Sequence, residues 1–153
     1  MPPERRFVKK NLPSQYTQRK QKAPITNHID IHNILRADEL REGEILHYTT
    51  LMIKNIPTKF TKVQMLQLLD KNHRGKYNYF YLPIDLQNRL SVGFAFINFT
   101  HPLYILDFLL EFQGTKWQDV VPDCFSSKCC QIVYANTQGM GQIKSEFKDS
   151  NLM

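Results

Sequence analysis

The chain has 153 residues, 42% of them hydrophobic and 22% charged, and a formal net charge of +6. That length suits one folded domain with appended segments, and no apolar run approaches the roughly 18 residues that cross a bilayer, so no membrane partner is expected. Cys124, Cys129 and Cys130 are odd in number and partly adjacent, which argues against a disulfide framework and for a reducing compartment, nucleus or cytoplasm.

From the N-terminus, residues 1–22 are polar, proline-containing and aperiodic. They hold Arg5, Arg6, Lys9, Lys10, Arg19, Lys20 and Lys22 against Glu4 alone. With no apolar stretch behind them, these basic residues are not a secretory signal. The segment reads as a disordered basic arm. It is a solvated tail, a nuclear signal built from Lys9-Lys10 and Arg19-Lys20-Lys22, or an RNA-binding arm. Residues 23–47 set Ile29, Ile31, Ile34, Leu35 and Leu40 among charges. They read as a leader packing on the domain, with a short helix near Ala37 to Glu42.

The domain itself is expected over residues 48–138. Thr50 to Ile56 reads as a strand ended by Pro57. Thr61 with Gln64 three residues on makes a capping box. The stripe Val63, Met65, Leu66, Leu68 and Leu69 then predicts a helix, stopped at Gly75. Tyr77 to Ile84 is a β-rich run, Asp85 to Arg89 a polar turn, and Ser91 to Phe99 another strand. A second helix begins near Pro102, carries Leu103, Ile105, Leu106, Leu109, Leu110 and Phe112, and ends at Gly114. Trp117 reads as a lid over the core between that helix and the next loop. Cys130 to Ala135 is the last strand, with one of its cysteine pair in the core and one outside. Residues 139–153 form a C-terminal extension in which 140–149 make a short helix with Ile143 and Phe147 on one face. Strand, helix, strand, strand, helix, strand is the order of the ferredoxin-like α+β fold: a four-stranded antiparallel sheet with two helices on one face.

Such a sheet leaves its second face for another use. Side chains alternate along a strand. Ala95, Ile97 and Phe99 suit the helix-covered face, which turns Phe94 and Phe96 to the other. Leu51 and Ile53 go inward, so Met52 and Lys54 lie beside those rings. Phe80, Leu82 and Ile84 suit the core, which sends Tyr79 and Tyr81 out. Gln131 and Val133 join them from the last strand. Rings beside a lysine on a flat sheet make a platform for stacking bases. Asn98, Gln131, Asn136 and Gln138 are candidate readers of base edges. Two alternatives stand beside this one. Phe94 and Phe96 are covered, by the leader or by Ile143 and Phe147, or Tyr79 and Tyr81 are plain edge-strand residues.

Val92-Gly93-Phe94-Ala95-Phe96-Ile97-Asn98-Phe99 resembles the octamer motif of RNA recognition motifs, and Leu51-Met52-Ile53-Lys54-Asn55-Ile56 resembles its hexamer partner. Two positions depart from the usual pattern. Val92 stands where the octamer opens with Lys or Arg, and Met52 where the hexamer has an aromatic; Arg89 or Lys54 is then expected to supply the charge. A longer resemblance covers residues 30 to 153. Thr49 to Pro57, Lys59-Phe60-Thr61, Gly75-Lys76-Tyr77, Phe80 to Asp85, Gly93 to Asn98, Phe112, Gly114, Lys116-Trp117 and Asn151-Leu152-Met153 are similar to the C-terminal RNA recognition motif of the Mei-two-like proteins. That family carries Met in the hexamer, as here. The resemblance implies a meiotic or developmental RNA-binding regulator and a chain that is part of a larger multi-domain protein.

Other function classes find less in the sequence. There is no P-loop, no Ser-His-Asp or Cys-His pairing in a suggestive context and no paired carboxylates, so a non-catalytic module is expected. No C-x-x-C pair exists, and nothing near His28 and His32 completes a ligand set, so no metal or cofactor is expected either. Single-stranded RNA is the expected partner. The competing expectation is a protein-interaction or self-association module of the same fold.

Overall fold

The computed structural model describes residues 27–30, 34 and 48–147. The basic arm and the helix expected near residues 37–42 lie outside the described residues. The elements are β1 (Thr50–Lys54), α1 (Lys62–His73), β2 (Tyr77–Tyr81), β3 (Phe94–Phe99), α2 (Leu103–Phe112), a single turn α3 (Trp117–Val120), β4 (Gln131–Tyr134) and α4 (Met140–Phe147). The strands form one sheet in the order β2-β3-β1-β4, every neighbouring pair antiparallel. This is the ferredoxin-like α+β fold expected from the element order.

Local chemistry sets the element ends. The Thr61 hydroxyl accepts from the Gln64 amide at 3.1 Å, and the Gln64 carboxamide accepts from the Thr61 amide at 2.9 Å, so the capping box closes in both directions. Gly75 takes φ +82° after α1, a left-handed turn that favours glycine. Pro102 caps α2 with helical dihedrals, one residue outside the position expected for it. A bulge between Tyr77 and Tyr79 shifts the β2 register. It explains how Tyr77 packs on the helical side, with its ring 6.5 Å from Phe99, while Tyr79 packs on the opposite side.

The main core lies between the sheet and α1 and α2. Leu51, Ile53, Ala95, Ile97, Phe99 and Ile132 meet Met65, Leu69, Ile105, Phe108 and Phe112 there. Ile29 and Ile34 are buried in the same cluster. Trp117 is buried edge-on to Phe60, with ring centroids 5.5 Å apart. Its place is that of the expected lid. Burial first, and the neighbouring Cys129 second, push the Cys130 thiol up to about 12. Cys130 is therefore a protonated core residue rather than a nucleophile.

Two features of the core gave no signal in the sequence. His73 is buried among Phe99, Phe108 and Phe112, with its Nε2 2.7 Å from Oε1 of Glu111, which ties α1 to α2. The Gln113 carboxamide accepts from the Ile132 amide at 2.8 Å and donates to the Ile132 carbonyl at 3.0 Å. Together with the bond from the Tyr134 amide to the Asn27 carbonyl at 2.9 Å, it occupies the outer edge of β4, where an open strand would invite pairing.

Candidate functional site

The sheet face opposite α1 and α2 carries the residues expected on it. Met52 pairs with Phe96 on one side and Val133 on the other; Lys54 pairs with Phe94 and Gln131; Tyr81 pairs with Phe96 and Tyr79 with Asn98. Strand alternation therefore assigned the faces correctly. It does not follow that the face is open, and at its centre it is closed.

α4 lies across that centre. Ile143 and Phe147, four residues apart and hence on one helical face, are fully buried there with Phe96, Tyr81 and Ala135. Phe147 sits over Phe96 with ring centroids 4.8 Å apart and over Tyr81 at 5.1 Å. Phe96 is 0% exposed. The expectation of an open platform at Phe96 and Tyr81 is thus corrected, and the covered alternative holds there. The physical reason is direct: two large rings on a sheet face are an apolar patch, and the chain supplies its own amphipathic helix to bury it. Met52, Tyr79 and Phe94 are half-buried at the margins of this cluster. The Phe94 ring meets Phe96 edge-on, with centroids 5.8 Å apart.

A polar network seats the entry to α4, and it accounts for two residues expected to read bases. Gln138 Oε1 accepts from the amides of Thr49 and Thr50, each at 2.9 Å. Its Nε2 donates to the carbonyls of Thr50 and Ala135, each at 2.8 Å. All four hydrogen-bonding positions of the carboxamide are thereby taken, so Gln138 holds the chain rather than facing a ligand. Asn98 is 3% exposed. Its Oδ1 accepts from the hydroxyls of Thr49 at 2.8 Å and Thr50 at 2.6 Å, and its Nδ2 donates to Asn78 Oδ1 at 2.9 Å. The Gly139 amide donates to the Thr50 hydroxyl at 2.9 Å, and the Thr137 hydroxyl to Glu146 Oε2 at 2.6 Å. The expectation that Asn98 presents its amide on the surface is corrected as well. The sequence held only a faint sign of the network, Thr49-Thr50 standing across from Asn98. A pairing register is needed to see it.

What α4 leaves accessible is one end of the face. Lys54, half-buried, lies between Phe94 and Gln131 on adjacent strands. Directly opposed side chains on neighbouring strands sit about 4.5–5.5 Å apart at Cβ. A cation, an aromatic ring and a carboxamide therefore form a row across β3, β1 and β4. Arg89 is exposed in the β2–β3 loop with φ +60°. That loop is pinned by the Arg89 amide on the Asp85 carbonyl at 2.7 Å and the Gln87 amide on Asp85 Oδ1 at 2.9 Å. Asn136 is exposed and accepts from Asn27 Nδ2 at 2.8 Å.

Comparison with known proteins places this arrangement in a family. Residues 48–148 match the family model described as RNA recognition motif 2. Protein MEI2-like 4 of Oryza sativa subsp. japonica is 42% identical over 125 residues, 82% of this chain but 11% of that protein. Protein MEI2-like 5 of Arabidopsis thaliana is 39% identical over the same length, covering 82% of this chain and 14% of its own. This chain thus spans a small fraction of the curated relatives it matches. Among solved structures, that of the Rna15 RRM with bound RNA (GU) aligns over 65% of this chain and 96% of its own, at 19% identity and a TM-score of 0.48. On the match over residues 48–148 and the likeness to the MEI2-like proteins, the chain belongs to the RNA recognition motif 2 family.

Proposed function

We propose that this domain binds single-stranded RNA, without catalysis, as one module of a meiotic or developmental regulator acting in the nucleus or cytoplasm. The observation that carries the proposal is the row Gln131–Lys54–Phe94, left accessible at the end of the sheet. Each member has work that RNA provides. The Phe94 ring stacks a base, a contact indifferent to base identity. The Lys54 ammonium meets the phosphate next to it. The Gln131 carboxamide, which both donates and accepts, reads the edge of a splayed base. Arg89 and Asn136 extend the contact from the flanking loops.

Phe94→Ala and Lys54→Ala test the proposal. Both side chains are only half-buried, so the variants are expected to keep the fold. Fluorescence anisotropy with short single-stranded RNA should show each binding weaker by about 1–3 kcal/mol, roughly five- to 150-fold. Wild-type affinity in both folded variants would place the RNA elsewhere.

One observation favours a second reading. The Phe96–Tyr81 surface already holds a helix, so the face is suited to binding protein, and a helix from another copy of the chain would fit where α4 lies. Dimerisation without RNA affinity would favour that reading.

A further inference from the structure

The row at the end of the sheet does not stop at Gln131. The chain that leads into β4 pairs with the chain that leads into α3, and Lys116 stands opposite Cys129 in an antiparallel bridge. On either side of the bridge the Trp117 amide donates to the Lys128 carbonyl at 3.2 Å and the Cys130 amide to the Thr115 carbonyl at 2.8 Å. Residues opposed in this way carry their side chains on one face, close together. Cys129 is two positions before Gln131 and shares its face, while the alternate residues Cys130 and Ile132 are buried in the main core. Lys116 therefore lies on the face of Phe94, Lys54 and Gln131, and it is exposed. On the other flank of Cys129, Asn55 Nδ2 donates to its carbonyl at 3.1 Å, which ties this short ladder to the end of β1.

The loop closed by that ladder carries a ring with no work in the fold. Phe125 is 90% exposed. Turns on both sides set the chain around it: the Cys124 amide donates to the Val121 carbonyl at 3.3 Å, and the Lys128 amide to Ser126 Oγ at 3.1 Å. Phe125 is three residues from Lys128, at most about 10 Å of chain. Lys116 in turn lies three strand spacings from Phe94, about 14 Å across the sheet. The loop's acids, Asp119 and Asp123, balance Lys116 and Lys128. A diffuse attraction for RNA is therefore absent here, and a contact must be local: one ammonium at the edge of the sheet and one ring beyond it.

We infer that the hairpin from Lys116 to Lys128 is a second nucleotide subsite, in which Lys116 meets the phosphate of a strand leaving the sheet edge and Phe125 stacks the base beyond it. The inference rests on the RNA-binding proposal above. It gives the strand a path from Phe94 across Lys54 and Gln131 to the hairpin, along the end of the sheet that α4 leaves accessible.

The test uses the full chain and a fluorescein-labelled single-stranded RNA pool of random sequence, about eight nucleotides long. Phe125→Ala is expected to bind at least roughly fivefold more weakly, and Phe125→Trp as well as wild type or better, because any large ring can stack a base. Lys116→Gln is expected to make the slope of log affinity against log salt shallower by about 0.7, the signature of one lost phosphate contact to a single strand. Both wild-type side chains are exposed, so the variants are expected to fold, which circular dichroism checks. Wild-type affinity in Phe125→Ala, or an unchanged salt slope in Lys116→Gln, overturns the subsite; if Phe94→Ala still weakens binding, the RNA proposal stands. Absence of binding by the wild type overturns both. Should a variant fail to fold, the wild type decides: backbone amides of residues 124–128 that do not shift when RNA is added overturn the subsite.

Discussion

Replacing Phe96 with alanine is expected to destabilise the domain by about 3–5 kcal/mol, the cost of emptying a buried phenylalanine site. On an open sheet the same substitution would cost little, since an exposed ring contributes little to folding. Here the ring is fully buried between Phe94, Phe147 and the sheet. Its removal leaves a void under α4 and strips Phe147 of its nearest aromatic neighbour. Phe96 stands opposite both Met52 and Tyr81, so the void opens in the middle of the sheet face. Urea denaturation followed by circular dichroism measures the loss. A cost under about 1 kcal/mol would mean that the ring is exposed in solution and α4 undocked.

The second large effect belongs to Asn98. Asn98→Ala removes the acceptor of the Thr49 and Thr50 hydroxyls and the donor to Asn78. The Thr50 hydroxyl is itself buried and also receives the Gly139 amide. The substitution therefore strands a buried donor at the point where the chain enters α4. An unsatisfied buried polar group costs about 1–3 kcal/mol, and with the neighbouring bonds disturbed the expected loss is about 2–3 kcal/mol. The partner groups are close and share one network, so Asn98→Ala and Gln138→Ala are expected not to add. Stability measured for the single and double variants checks both statements. A loss below about 0.5 kcal/mol for Asn98→Ala would mean that water replaces the amide at no cost.

The order of the strands and of the two long helices, the Thr61 capping box, the faces of Phe94, Phe96, Tyr79 and Tyr81 and the helical stripe of Ile143 and Phe147 were legible in the sequence, because each is a local pattern with a short period; the single turn α3 was not, having too few residues to show one. Tyr77 escaped because the bulge after it breaks the alternation that placed Tyr79 and Tyr81. The roles of Asn98 and Gln138 escaped for a different reason. An amide side chain looks the same whether it faces a ligand or a backbone, and only the pairing of β1 with β3 brings Thr49 and Thr50 beneath Asn98. For Phe96 the sequence left two outcomes open. Alternation says which face a ring is on; it cannot say what else lies on that face. The decision lay some 50 residues further along the chain, in a helix with its own two-residue apolar stripe.

The most direct test of RNA binding on this face is the mapping of backbone amide chemical shifts as short single-stranded RNA is added to the full chain. The largest changes are predicted at Lys54, Phe94 and Gln131. No change with RNA in large excess, or changes confined to the outer surfaces of α1 and α2, would contradict the account.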